Sequence, residues 1–252
     1  MGKSLCYQLP SLILDGITLV VSPLISLMNV QVMKLNIKQI PSAYINSSLS
    51  KEQRSLAFEN ASKYKYKIVY VSTERLQTEE FLAFAKSVKI SLIAVDEAHC
   101  ISQWGNDFRP SYKNIDAFIK NLPQRPVIGA FTATATKQVR EDIIHSLNLN
   151  NPEVYILGFD RPNLYFEVKH TGEKKYSYIK RILFSHKNEC GIIYCNTIKN
   201  VARIYSSLLK DKIDACKYHA DLGKEERSLS QADFITGKKK NHSGNQCFRN
   251  GH

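Results

Sequence analysis

The sequence predicts an α/β fold of two parallel-sheet lobes, the second incomplete. Three observations carry that expectation. Short β-branched runs alternate with longer stretches whose apolar residues recur at helical spacing, as parallel, doubly wound sheets require. A turn-rich break, Asn148-Leu149-Asn150-Asn151-Pro152, divides the series in two. Hydrophobic residues make up 43% of the 252 and charged residues 23%, ordinary for a protein with a buried core.

Taken in order, the first lobe (residues 1–150) has strand-like runs at Ile17–Val21, Lys67–Val71, Leu92–Val95 and Val127–Phe131. Helical stretches fall between or after them at Leu27–Leu35, Lys51–Ser62 and Lys137–Leu147. The second lobe (151–240) has clear strands at Gly191–Cys195 and Ala215–Tyr218. Between these, Val201, Ile204, Tyr205, Leu208 and Leu209 fall at i, i+3, i+4, i+7 and i+8, one apolar helix face that belongs to the core.

The net charge of +12 is matched either by a polyanionic partner such as nucleic acid or by a Lys-rich, AT-rich genome. No apolar run reaches the roughly 18 to 20 residues of a membrane span. The N-terminus lacks the layout of a secretory signal, so export is not expected. The six cysteines form no Cys-x-x-Cys pair, so a reduced cytoplasmic protein without zinc is expected.

Three places carry chemistry. Gly2-Lys3-Ser4 is the end of a phosphate-binding loop of the form G-x-x-x-x-G-K-[ST], without its first glycine. There the backbone N–H groups wrap phosphate, the lysine reaches the outer phosphate oxygens and the hydroxyl holds magnesium. Asp96 and Glu97 end the apolar run Leu92–Val95, and in open α/β sheets ligands collect at the carboxyl ends of strands. Asp96 would hold magnesium, and Glu97 would orient or deprotonate an attacking water. The bland alternative is a helix start with Asp as its cap. In Gln103-Trp104-Gly105-Asn106-Asp107-Phe108-Arg109-Pro110, Trp104 and Phe108 offer flat faces to bases and Arg109 offers charge, unless the rings are core.

Asp96-Glu97-Ala98-His99 matches the DEAH box of superfamily 2 helicases. The continuation from Cys100 to Pro110 resembles the aromatic-rich loop of RecQ-family DNA helicases, with Asn106 where that family usually has His. Further matches run in order along the chain. Val21-Ser22-Pro23-Leu24 is similar to the segment that lies along the DNA backbone, although Val30 stands where an Asp is usual. Tyr70–Leu76 resembles the next motif, with Thr73 replacing Pro. Phe131-Thr132-Ala133-Thr134 is like the motif whose hydroxyls link the ATP site to the DNA track. Phe159–Leu164, Gly191–Thr197 and Tyr218-His219-Ala220-Asp221-Leu222 resemble later motifs, the last with Asp221 for Gly.

The resemblance implies two RecA-like lobes, ATP and Mg2+ as cofactors, and unwinding of single-stranded and forked DNA from 3′ to 5′ in repair and recombination. It implies a monomer at the nucleoid, or in the nucleus if eukaryotic. It assigns His99 and Gln103 to the catalytic group with Asp96 and Glu97. DNA contact and coupling fall to Ser22, Pro23, Trp104, Asp107, Phe108, Arg109, Thr132, Thr134, Asn196, Thr197 and His219. An RNA helicase of the same superfamily is the main enzyme alternative, and the Gln103–Pro110 loop argues against it. A non-catalytic DNA-binding remnant and an unstable pseudogene product are the others.

Both ends look truncated against that family, whose phosphate arginine from the second lobe belongs to a later motif, so an inactive fragment is expected. Residues 241–252, Asn-His-Ser-Gly-Asn-Gln-Cys-Phe-Arg-Asn-Gly-His, resemble nothing in it. Back-translated with suitable synonymous codons and read one base later, they spell Ile-Ile-Val-Ala-Thr-Asn-Ala-Phe-Gly-Met-Gly, the form of another RecQ motif. Lys238-Lys239-Lys240 as AAA codons would supply the adenine run in which a base is easily gained. A frameshifted tail is therefore expected, and sequencing the locus on both strands tests it.

Overall fold

The computed structural model describes residues 2–105, 107–156, 163–170, 172, 175–187, 189–235, 237 and 241–244. The chain forms two compact units, Met1–Tyr155 and Ile156–His252. Their boundary lies just beyond the expected Asn-Pro break. Asn106, most of Phe159–Leu164, Lys238–Lys240 and residues 245–252 fall outside the described residues.

The first unit contains α1 (Lys3–Ile13), β1 (Ile17–Val21), α2 (Ile25–Ile37), β2 (Ser42–Ile45), α3 (Lys51–Ser62), β3 (Ile68–Val71), α4 (Glu79–Ser87), β4 (Ile90–Val95), α5 (Asn114–Lys120), β5 (Val127–Ala130) and α6 (Lys137–Ser146). Short 3-10 turns cover Thr73–Gln77, Ala98–Ile101 and Pro110–Lys113. The strands form one parallel sheet in the order β2-β3-β1-β4-β5. The helices α1, α4 and α5 and the short edge strand β2 went unread in the sequence.

The middle strands are apolar throughout because helices cover both faces, as parallel sheets demand. Ile17, Leu19 and Val21 of β1 enter one core with Phe58, Phe81, Ile115 and Phe118. Val20 faces the other way, into a core with Tyr7, Met28, Val32, Leu35 and Tyr70. Helix starts are capped locally. Ser50 and Gln53 form a reciprocal capping box on α3, and Thr136 caps α6. Gly16, at φ 112°, leads into β1, where a Cβ would lie 2.5 Å from the Lys89 carbonyl oxygen; only glycine fits there.

From β1 the chain turns to β2 and β3 on one side, and from β4 it turns to β5 on the other. The connections diverge at the carboxyl ends of β1 and β4, so a crevice opens there.

The second unit contains α7 (Lys175–Ser185), β6 (Gly191–Tyr194), α8 (Ile198–Lys210), β7 (Ala215–Tyr218), α9 (Lys224–Ile235) and β8 (Asn241–Gly244). Its three described strands are parallel, in the order β6-β8-β7. Asn241–Gly244, read from the sequence as the start of a foreign tail, is thus the middle strand. On α8, Val201 and Leu208 are fully buried, and Thr197 caps the start. Leu209, expected on the core face, is 48% exposed, because i+8 lies at the rim of the apolar stripe. No helix among the described residues is long and apolar enough to cross a membrane.

Candidate active site

Asp96 and Glu97 leave the tip of β4, inside the crevice. The sheet holds them there directly, since Asp96 N–H donates to the Val21 carbonyl at 2.8 Å. Asp96 is 6% exposed, and its Oδ1 accepts the Glu97 N–H at 3.0 Å. Glu97 adopts a left-handed turn at φ 47°, ψ 46°. A residue with a Cβ holds that conformation only where its surroundings over-determine it. The residue at the cap position of the Ala98–Ile101 turn is Glu97, which makes no side-chain capping bond, and the Asp96 carboxylate expected as a cap accepts the Glu97 N–H instead.

The Glu97 carboxylate is instead shared between the Lys3 ammonium and the His99 ring. Lys3 Nζ, in the first turn of α1, donates to Oε1 at 2.8 Å and lies 3.9 Å from Asp96 Oδ1. His99 Nδ1 lies 3.3 Å from Glu97 Oε2 and 2.9 Å from Thr132 Oγ1. Burial alone would raise the Glu97 carboxyl, but the hydrogen bonds and charges of His99 and Lys3 outweigh it and hold it at about 2. Asp96 moves the other way. Burial raises its carboxyl, and the Lys3 charge offsets only part of that rise. A buried carboxylate with one ammonium at 3.9 Å is under-compensated, and its hard oxygens are of the kind that suits Mg2+. Gly2, at φ 129°, precedes α1, so the free amides of its first turn face outward at the same end.

Thr132 follows β5, whose extension bonds back to the site. Phe131 N–H donates to the Val95 carbonyl, and Ala98 N–H donates to the Phe131 carbonyl, each at 2.9 Å. The Thr132 hydroxyl also lies 3.1 Å from the Thr134 carbonyl, which fixes this loop. Lys3, Asp96, Glu97, His99, Thr132 and Thr134 are therefore linked by bonds and ion pairs, with Gly2 and Ser4 flanking Lys3 in the chain. Gln103 does not join them; it is exposed, and no described hydrogen bond ties it to Glu97 or His99.

The aromatic loop stands beside this cluster. Trp104 is 75% exposed, which removes the core alternative for this ring. Phe108 is half-buried, with Lys113 Nζ 5.3 Å from its ring centre. Arg109 is tied down, donating to Asp107 Oδ2 at 3.2 Å and to the Pro23 carbonyl at 3.0 Å. Gly105 closes the turn, and a Cβ there would sit 2.2 Å from the His99 carbonyl oxygen. Pro23, Ser47, Ser72, Glu74, Arg75, Thr78 and Arg109 line a neighbouring cavity of about 370 Å³. Ser22, expected along a ligand groove, is buried at 1% exposure, so its hydroxyl meets no groove.

In the second unit Asn196 and Thr197 follow the tip of β6, and His219 follows β7. Asn196 is exposed, whereas the Thr197 hydroxyl is engaged in capping α8 and His219 is buried at 8%.

Sequence reasoning missed Tyr112, a fully buried residue whose hydroxyl donates to the Asp96 carbonyl at 2.9 Å. An aromatic four residues past a Trp-Phe loop reads as core, and nothing in its spacing separates the two roles.

A DEAD/DEAH box helicase model matches residues 1–143, and a helicase conserved C-terminal domain model matches residues 174–242. The chain belongs to the DEAD/DEAH box helicase family. The ATP-dependent DNA helicase RecQ of Bacillus subtilis is 42% identical to this helicase chain over 234 residues, 93% of the chain but 39% of the relative. The ATP-dependent helicase SGS1 of Saccharomyces cerevisiae is 40% identical over 90% of the chain and 16% of its own length. The chain thus spans less than half of these relatives.

Among solved structures, the Mycobacterium smegmatis helicase Lhr bound to ssDNA and AMP-PNP superposes with a TM-score of 0.67 at 16% identity, covering 98% of this chain and 36% of that one. S. cerevisiae Dbp5 bound to RNA and ADP BeF3 gives 0.65 at 17%, over 97% and 63%. At these identities the likeness speaks for the helicase fold alone.

Proposed function

We propose that this chain is the motor portion of a RecQ-type, ATP-dependent DNA helicase that uses hydrolysis to move 3′ to 5′ on single-stranded and forked DNA. The carrying observation is Glu97 held between Lys3 and His99, with His99 in turn bonded to Thr132. Such a chain joins a phosphate-binding lysine, a hydrolytic carboxylate and a strand-end hydroxyl in one connected set.

Lys3 and the amides of the first turn of α1 bind the outer phosphates of ATP. Ser4 and Asp96 would hold Mg2+, which would supply charge neutralisation on the phosphate oxygens. Once Lys3 turns to phosphate, Glu97 loses one of the two bonds that hold its carboxyl low and becomes a better acceptor for a water proton. Glu97 orients the water, takes its proton as oxygen attacks the outer phosphorus, and ADP leaves with the electron pair. Trp104 and Phe108 stack on unpaired bases, and Arg109 supports them beside Pro23. Asn196, exposed after β6, serves the second unit's share of strand contact. The reading extends to repair and recombination in the bacterial nucleoid, or the nucleus in a eukaryote, and to a monomer.

Two measurements test this. Calorimetry with Mg·AMP-PNP is expected to give binding that Lys3→Ala abolishes. Little turnover is expected of the chain as an inactive fragment, so the hydrolytic role is read from residual single-turnover ATP hydrolysis in the presence of ssDNA, which is expected to fall by about 10²-fold or more in Glu97→Gln. Nucleotide binding indifferent to Lys3, or hydrolysis indifferent to Glu97, overturns the reading.

A further inference from the structure

The segment Arg109–Tyr112 leaves the aromatic loop and ties it to three strand ends in turn. Arg109 donates to the Pro23 carbonyl beyond β1 at 3.0 Å. Ser111 Oγ lies 2.7 Å from Thr73 Oγ1 and 3.2 Å from Glu74 Oε1, beyond β3. Tyr112 crosses to β4, where its hydroxyl donates to the Asp96 carbonyl. That oxygen belongs to the peptide joining Asp96 to Glu97, so its direction sets the left-handed φ of Glu97. The Tyr112 ring is fully buried, so water does not compete for the bond that its hydroxyl makes. A hydrophobe of the same shape would fill the space and leave that peptide free to turn.

We propose that Tyr112 is a positioning residue: its hydroxyl clamps the Asp96–Glu97 peptide and so couples the loop bearing Trp104 to the carboxylate beside Lys3. This rests on the reading of Glu97 as the hydrolytic carboxylate. It ties the loop to the site independently of the His99–Thr132 bond, which joins the site to the segment after β5. The same turn carries the loop's other anchor, since Lys113 covers Phe108 at 5.3 Å and Arg109 N–H donates to the Cys100 carbonyl at 2.9 Å. A shift at the Asp96 peptide is therefore delivered to the loop through one short, bonded turn.

Trp104 is the only tryptophan in the chain, so its emission reports on the loop alone. The experiment titrates Mg·AMP-PNP into the full chain and into Tyr112→Phe, following Trp104 emission and, by calorimetry, affinity. Nucleotide is expected to change the emission of the unaltered chain. In Tyr112→Phe the affinity should stay within about twofold while the emission change falls by half or more and single-turnover hydrolysis slows by about tenfold. An undiminished emission change in Tyr112→Phe overturns the proposal, as does affinity lost in step with thermal stability, which would make the phenol a packing group. No binding by the unaltered chain, or binding indifferent to Lys3→Ala, locates the failure in the nucleotide site itself.

Discussion

Glu97 is where backbone strain and charge meet, and its titration has a definite sign. Its carboxyl is held at about 2 against an ordinary 4.5. A depressed folded value means that the cluster's contribution to stability is complete above about 4.5 and is lost as pH falls through about 2. Glu97→Gln should therefore flatten the pH dependence of urea unfolding across that window; an unchanged dependence would mean that the cluster does not form in solution. Gly105→Ala drives a methyl into the His99 carbonyl and should cost about 1–3 kcal/mol by the same denaturation, a loss that retention of the wild-type midpoint would refute. Alkylation separates the thiols. Cys6 and Cys190 are exposed and should react, while burial pushes Cys100 up to about 12 and should leave it unmodified until the chain unfolds. At this scale the acids were legible because adjacent carboxylates are costly on an apolar strand tip unless a ligand or cation meets them. Tyr112 and the burial of Ser22 were not, because one hydroxyl's partner and depth depend on how distant strands align.

Elements were legible where period and length agreed. The β-branched runs that became β1, β3, β4 and β5 and the amphipathic α8 were read from residue spacing. Two strands show the limit. Ser42–Ile45 starts with Ser-Ala and spans four residues, and Asn241–Gly244 has no β-branched residue; both are strands because parallel neighbours bond them. Helix α1 was hidden by Pro10, which sits in its last turns and leaves the capping carbonyl to Leu14 N–H at 3.0 Å. The face of α8 gives a direct check. Leu208→Ala should cost about 2–5 kcal/mol, because that side chain is fully enclosed. Leu209→Ala, one position on, should change stability by less than about 0.5 kcal/mol. Equal losses at the two positions would mean that the helix is rotated from the orientation described.

For the whole molecule, the net charge of +12 sets how any polyanion is bound. Affinity for single-stranded DNA is expected to fall linearly in a log–log plot against salt, by about 0.7 per phosphate contact. A salt-independent affinity would mean that the excess lysine is compositional and binds nothing. Charge alone left those two possibilities open in the sequence; the helicase family match and the exposed Trp104 weight the first. The strand order of the second unit has one more consequence. Among the described residues, strands β6 and β7 have no ladder with each other and meet through β8. On the ribosome, the five described strands of the first sheet are all made once Ala130 has emerged, whereas β6 and β7 must wait for their described ladder partner, which emerges after both of them. Until β8 arrives they are a pair of open edges, so nascent-chain holdases have most to protect between the synthesis of Tyr218 and that of Gly244.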